Sequence, residues 1–304
     1  ENPASDPSAL TEIASTLYEG LLGAVDKDIE RSERLIISTD GNLEHIPFGA
    51  LLRVRGADAR FLGTWKPMSH VVSLSVRREL RLRPAAPRDG GIAVFADPRH
   101  PSFDELPDAV AEARRIAAAW GPGARLYSGR ALTRGNLFHE FETARVLHIA
   151  THAVSNGALA LGTGLVVTPE GAGDDGVLRA WELIHRSPLR ADLVVLSGCE
   201  TGPGSQWFAM GEGSFDLSRH FLEAGAGTVL SASWRISDDV TADFMTRFHD
   251  GLLRGLSADR ALEAAQSEMS STPRWAHPFH WAAFRLVGLG DDAILADVAT
   301  ARLP

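Results

Sequence analysis

The sequence predicts an α/β fold: a mostly parallel sheet with helices on both faces, plus a smaller N-terminal subdomain. Three observations carry this. Strand-like and helix-like segments alternate from residue 92 onward, the pattern of parallel strands joined by crossover helices. Several strand segments are unbroken apolar runs, such as Leu193-Val194-Val195-Leu196, which suits a sheet covered on both faces. The stretch 82–90 carries Pro84, Pro87 and Gly90 between two patterned regions. It divides an N-terminal subdomain, 1–87, from a core, 88–304.

The elements follow in order. Residues 1–7 are a polar, Pro-containing lead. From Ser8 to about Val25, Leu10, Ile13, Leu17, Leu21 and Leu22 recur at spacings of three and four, an amphipathic helix. Arg34–Ser38 is a β-branched run and reads as a strand, and Asp40-Gly41-Asn42 reads as a turn. Leu43–Leu52 begins extended and is interrupted by Pro47. Arg77, Arg78, Arg81 and Arg83 read as a solvated helix face and its exit.

In the core, Ile92–Ala96 is a strand. Pro107–Trp120 is a helix with Pro in its first turn and Val110, Ala113, Ile116 and Ala117 on one face. Arg125–Tyr127 is short and extended, and Thr133 caps a helix running to Glu142. Val146–Ala150, Gly164–Thr168, Leu193–Ser197 and Thr228–Ser231 are strands. Leu178–His185 and Glu212–Glu223 are helices, as are the segments near 239–253 and 257–270. His280–Val287 is a final strand.

Composition narrows the function. Charged residues make up 23% of the chain and hydrophobic residues 44%, an ordinary globular mixture. A net charge of −9 repels phosphate backbones, so a direct nucleic-acid partner is not expected. No apolar run is long enough to span a membrane. The single cysteine, Cys199, rules out an intrachain disulfide and a four-cysteine zinc site. It points to a reducing, cytoplasmic compartment. The N-terminus lacks both an initiator Met and the features of a signal peptide, as an excised or processed piece would. Neither a metal nor a cofactor is called for.

Ligands of open α/β sheets bind beyond the carboxyl ends of the strands. Two polar groups stand at such ends: Thr151-His152-Ala153 after Val146–Ala150, and Gly198-Cys199-Glu200-Thr201-Gly202 after Leu193–Ser197. If those strands are neighbours, Cys199 and His152 meet. A thiol needs such a partner, because an imidazolium favours the thiolate and protonates a leaving amine. The backbone amides of Cys199 and Ala153 are candidates for holding an oxyanion, and one such donor is worth about 3 kcal/mol in the barrier. A lone cysteine or histidine is more often a packed core residue, so the pair alone leaves both readings open. Other motifs fail: His148-x-x-x-His152 lacks a zincin's Glu and sits in a strand, and Ser197 stands where a hydrolase elbow needs Gly.

At these residues the chain resembles the CHAT family of caspase-like peptidases, often joined to tetratricopeptide repeats. Ile37–Leu52 is similar to the family's opening segment with its Pro-Phe-x-x-Leu ending. Leu106-Pro107-x-Ala109-x-x-Glu112, Val146–Ala153 and Leu193–Gly202 resemble its next landmark, its histidine motif and its cysteine motif. Gly211–Asp238 resembles the Gly-Glu-Gly opening, the Phe-Leu-x-Ala-Gly-Ala helix end and the Trp-x-x-x-Asp signature, and His280–Gly288 resembles the closing strand. Cys199 follows His152 by 47 residues, close to the caspase spacing.

The resemblance implies a caspase-like fold and a cysteine endopeptidase acting on protein substrates through a thioacyl intermediate on Cys199. It implies that His152 is the acid/base and that His148 is a packing residue. By the same resemblance Asp238 recognises a basic side chain before the cut, against a rival reading in which it caps the following helix. Activation by an attached sensor or a partner protein is implied too. One departure is Ala153, where the family has Gly; a positive φ there would strain Ala. That departure motivates the alternative of a catalytically silent CHAT module that binds a partner or acts as a scaffold. Gly202–Gly211, with glycines among bulky apolar residues, is expected to be a loop that orders on activation.

Overall fold

The computed structural model describes residues 7–84, 86–87, 89–154, 163–186, 189–198, 212–291 and 294. Helix α1 (Pro7–Leu22) and α2 (Asp26–Arg31) open the chain. The buried residues of α1 are Ala14 and Tyr18, while Ile13, Leu17 and Leu21 face outward at 59%, 39% and 36% exposure. An anchor explains this choice of face. The Tyr18 hydroxyl donates to Asp26 Oδ1 at 2.7 Å, and Arg53 Nε donates to the same oxygen at 2.7 Å. Arg53 holds the Asp26 carboxyl well below the usual carboxylate range.

Strand β1 (Leu35–Ile37) comes next. The stretch 41–50 is two 3₁₀ turns, Gly41–His45 and Phe48–Ala50, rather than extended chain. The Asp40 carboxylate accepts from Gly41 N–H at 2.8 Å and starts the first turn. Strands β2 (Leu52–Arg55) and β3 (Asp58–Phe61) form a hairpin. Strand β4 (Met68–His70) precedes α3 (Leu74–Arg81), which is capped by the Ser73 hydroxyl. The arginines of α3 are not all a solvated face. Arg77 is 8% exposed and donates to the Leu289 carbonyl at 2.8 Å and to Asp291 at 2.7 Å.

The core then alternates: β5 (Ile92–Pro98), α4 (Pro107–Trp120), β6 (Ala124–Gly129), α5 (Arg134–Thr143) and β7 (Val146–Ala150). Strands β8 (Ala153–Val154), β9 (Gly164–Val166) and β10 (Val177–Arg179) make a small antiparallel sheet ahead of α6 (Ala180–Arg186). After β11 (Leu193–Leu196) come α7 (Glu212–Ala224), β12 (Thr228–Ala232), α8 (Asp238–Leu253) and α9 (Ala258–Ser270). The last segment is a short helix α10 (Pro278–Trp281) and then β13 (Phe284–Gly288), not one strand from residue 280.

The main sheet has eight strands in the order β1-β4-β13-β12-β11-β7-β5-β6. Neighbours are parallel throughout except β12–β13. Alternate residues feed two cores, as the two-residue period of a strand requires. Ile92, Val94, Val146, Leu193 and Val195 pack with α4, α8 and α9. Ala93, Phe95, Leu147, Val194 and Leu196 pack with α5 and α7 on the other face. The sheet is therefore covered on both sides, and β5, β7, β11 and β12 end along one edge.

Candidate active site

Strands β7 and β11 are parallel neighbours, with Leu196 opposite Ile149. The ladder runs one residue further, since Ser197 N–H donates to the Ile149 carbonyl at 3.0 Å. Gly198 then lies against Thr151. A Cβ on Gly198 would stand 1.8 Å from the Thr151 carbonyl oxygen, so only glycine fits. His152 follows Thr151, and Cys199 follows Gly198. Cys199, its amide and the segment Gly202–Gly211 lie outside the described residues.

His152 is 2% exposed. Its backbone is fixed by β9: the Val166 N–H donates to the His152 carbonyl at 2.8 Å, and the Thr151 hydroxyl donates to the Val166 carbonyl at 2.7 Å. Its ring is fixed by the segment before α4. Nε2 lies 2.8 Å from the Asp104 carbonyl oxygen, and the Phe103 ring packs on it with centroids 5.3 Å apart. A carbonyl can only accept, so Nε2 carries the hydrogen. In the neutral ring Nδ1 is then the basic nitrogen.

Ala153 does not need glycine. Among the described residues the one non-glycine at positive φ is Asp97, so Ala153 carries no left-handed strain. Ala153 faces Leu165 across β8–β9, and the Val166-to-His152 bond makes theirs a non-hydrogen-bonded pair. The Ala153 N–H is therefore turned away from β9.

His148 is packed, as its place inside β7 suggests, but it is also wired. Trp120 Nε1 donates to His249 Nδ1 at 3.2 Å, and His249 Nε2 lies 3.1 Å from His148 Nδ1. His148 Nε2 lies 2.9 Å from Glu112 Oε1, which also accepts from the Ser197 hydroxyl at 2.5 Å. Indole is a donor only, so His249 carries its hydrogen on Nε2 and donates it to His148 Nδ1. His148 must then donate from Nε2 to Glu112. Every bond points toward the carboxylate. Burial holds the His249 ring well below its ordinary pKa, in keeping with this neutral form. The chain of bonds begins and ends on α4, crosses α8 and β7, and fastens Ser197, two residues before Cys199.

Asp238 opens α8, yet it does not cap it. Ser237 is the N-cap, and Asp239 takes the local bonds, from the Ser237 hydroxyl at 2.6 Å and from its neighbour Val240 N–H at 3.0 Å. Asp238 instead lines a cleft with Leu106, Asp108, Glu112, Ser197 and Gly198. Partial desolvation raises its pKa, and the Asp108 and Glu112 carboxylates raise it further. A cation in the cleft would offset the repulsion of Asp108 and Glu112 and favour the ionised Asp238. Sequence reasoning assigned no role to Asp97, Asp104, Asp108, Glu112 or His249. Only Glu112 had a signal, as the end of the Leu106-Pro107-x-Ala109-x-x-Glu112 motif.

Tetratricopeptide repeat protein 28 of Mus musculus is 26% identical over 92% of this chain, and that of Homo sapiens is 25% identical over 92%. The chain spans only 13% of the length of either relative. Among solved structures, the separase–securin complex of Saccharomyces cerevisiae aligns with a TM-score of 0.55 at 14% identity, over 84% of this chain and 15% of that one. The Arg-specific cysteine proteinase gingipain R aligns with a TM-score of 0.53 at 9% identity, over 97% of this chain and 69% of that one. These likenesses show a shared caspase-like fold. The profile described as CHAT domain matches residues 11–289, and the chain belongs to the CHAT family.

Proposed function

We propose that this chain is a cysteine endopeptidase that cleaves protein substrates through a thioacyl intermediate on Cys199. The observation that carries the reading is the contact of Gly198 with Thr151, the residues immediately before Cys199 and His152. A second support is the buried His152 ring, with Nε2–H on the Asp104 carbonyl and Nδ1 as its basic nitrogen. In this reading Nδ1 takes the thiol proton, and the thiolate attacks the substrate carbonyl. The amides of Cys199 and Ala153 hold the oxyanion. His152 returns its proton to the leaving amine, and water then hydrolyses the thioester with His152 as base.

The Asp238 cleft supports a basic residue before the cut. A guanidinium or ammonium group there would pair with Asp238, with Asp108 and Glu112 adding negative potential. Control by an attached sensor or a partner protein belongs to the same proposal. Profiling cleavage in a peptide library tests the whole. Cys199→Ala and His152→Ala should abolish cleavage. Asp238→Ala should lower turnover after Arg or Lys about ten- to hundred-fold and spare other sites. Full cleavage by Cys199→Ala overturns the reading, and a wild type that cleaves nothing and labels at Cys199 no faster than a simple thiol leaves a partner-binding module.

A further inference from the structure

We propose that Asp97 is a positioning residue for His152: its left-handed backbone and its carboxylate shape the 98–106 segment so that the Asp104 carbonyl meets the imidazole. The inference rests on the peptidase reading and names a residue that reading does not contain. Asp97 sits at the end of β5, where the pairing with β6 shifts register between Ala96 and Pro98. Its φ is +52°, the left-handed region that few side chains tolerate and that Asp and Asn adopt most readily. A bulge of this kind bends the strand and re-aims the chain beyond it. Strain of this sort gathers at functional sites, where the surroundings enforce it.

The Asp97 side chain closes what its backbone opens. Asp97 is 3% exposed, and its Oδ1 accepts from the Leu106 N–H at 2.7 Å. Leu106 is the N-cap of α4 and offers no side-chain cap of its own, so the Asp97 carboxylate caps the helix from nine residues upstream. The enclosed loop carries the two groups that grip His152, the Phe103 ring and the Asp104 carbonyl. It is braced from outside as well. The Arg99 N–H donates to the Thr168 hydroxyl at 2.9 Å, and His100 Nε2 lies 2.9 Å from the Asp175 carbonyl. Those braces fix the far side of the loop. Asp97 fixes the side that leads into α4, at Leu106, two residues beyond the carbonyl that touches the imidazole.

Cys199 is the chain's one thiol, so its alkylation by iodoacetamide reads the pair directly, without a known substrate. The rate is measured from pH 5 to 9 in the wild type and in His152→Ala, Asp97→Ala, Asp97→Gly and Asp97→Asn, each checked by circular dichroism. The wild type should keep a fast, His152-dependent rate below pH 7. Asp97→Ala should lose about ten- to hundred-fold of that rate and shift its inflection toward an ordinary thiol. Asp97→Gly accepts the positive φ and still removes the acceptor, so it should fall with Ala and replaces it if Ala fails to fold. Asp97→Asn tolerates the same φ and keeps an oxygen for Leu106, so it should retain most of the rate. A wild-type pH profile in Asp97→Ala or Asp97→Gly, beside a lost one in His152→Ala, overturns this inference alone. A profile indifferent to His152 overturns the peptidase reading and the inference with it.

Discussion

Replacing Glu112 by alanine tests the buried chain of hydrogen bonds. Glu112 is 4% exposed, and its Oε1 accepts from both His148 Nε2 and the Ser197 hydroxyl. Alanine strands two donors, on residues that are 0% and 8% exposed. A buried donor left without an acceptor costs about 1–3 kcal/mol, so the pair costs about 2–6 kcal/mol before any cavity is counted. Glu112→Gln keeps an oxygen where both donors point and loses the charge assistance, which predicts a loss of only about 1–2 kcal/mol. Urea unfolding at pH 7.5, followed by tryptophan fluorescence and compared at unchanged m-value, measures both variants. The Ala variant should also label Cys199 more slowly, because Ser197 would no longer be tethered. Equal stability losses in Gln and Ala would refute the directional chain, as would an Ala variant within about 0.5 kcal/mol of wild type.

Three more perturbations follow from the structure. Gly198→Ala puts a Cβ 1.8 Å from the Thr151 oxygen, so the ends of β7 and β11 must separate; the expected loss is about 3 kcal/mol or more, with slowed thiol labelling, and a neutral melting temperature would contradict the contact. Asp26→Ala removes the acceptor shared by Tyr18 and the buried Arg53, which keeps only Glu30 at 3.4 Å and Asp58 at 3.9 Å; a loss of about 3 kcal/mol in urea unfolding is expected, and less than about 1 kcal/mol would show the cluster to be dispensable. Acid should destabilise the fold below about pH 6.5, the ordinary histidine value. Burial lowers His249, takes His70 down to about 3 and lowers His277 and His280, so the unfolded chain binds protons that the folded chain refuses. Their contribution is complete above the unfolded histidine value and fades as pH falls toward the folded ones. Raised carboxylates at Asp238, Asp259 and Glu263 act in the opposite sense, at and above the ordinary carboxylate range. Stability that stays flat from pH 7 to 5 would show that these rings are not neutral in the fold.

The sheet and its candidate edge were legible because apolar runs mark β7 and β11, and each run stops at a polar group. Neighbouring strands that end together are a matter of topology, and the alternation of elements carries that information. The stretch 41–50 was not legible as 3₁₀ turns, because its apolar residues match an extended template equally well and the deciding group is the Asp40 carboxylate. Strand β9 was legible inside the apolar run Gly164–Thr168, whereas β8 and β10, of two and three residues, are too short for any period to show. On α1 the apolar stripe suggested one face, whereas the Tyr18–Asp26 bond selects another. His148 was legible as packed and illegible as wired, since its partners Glu112 and His249 lie 36 and 101 residues away. The Asp104 carbonyl had no signal at all, because every residue offers the same backbone oxygen and only the folded geometry selects this one.

Both halves of the proposed pair depend on one helix. At its N-terminus, α4 is entered through Leu106, two residues after the Asp104 carbonyl that holds His152. One turn and more along, Glu112 holds Ser197, two residues before Cys199. At its last residue, Trp120 starts the donor chain that returns through α8 and β7 to Glu112. A tilt of α4 would move the imidazole's acceptor and the serine's acceptor together. The helix is correspondingly well fixed, by Ala113, Ile116 and Trp120 against the sheet and by its packing on α8. For His148 inside β7 and His152 just past its end, a neighbour with one hydrogen-bonding capacity sets the ring: a donor-only indole, through His249, for the first, and an acceptor-only carbonyl for the second. The four-residue spacing that resembles a metal-binding pair is thus divided between two jobs, one that stiffens the scaffold and, in the proposed function, one that supplies the base.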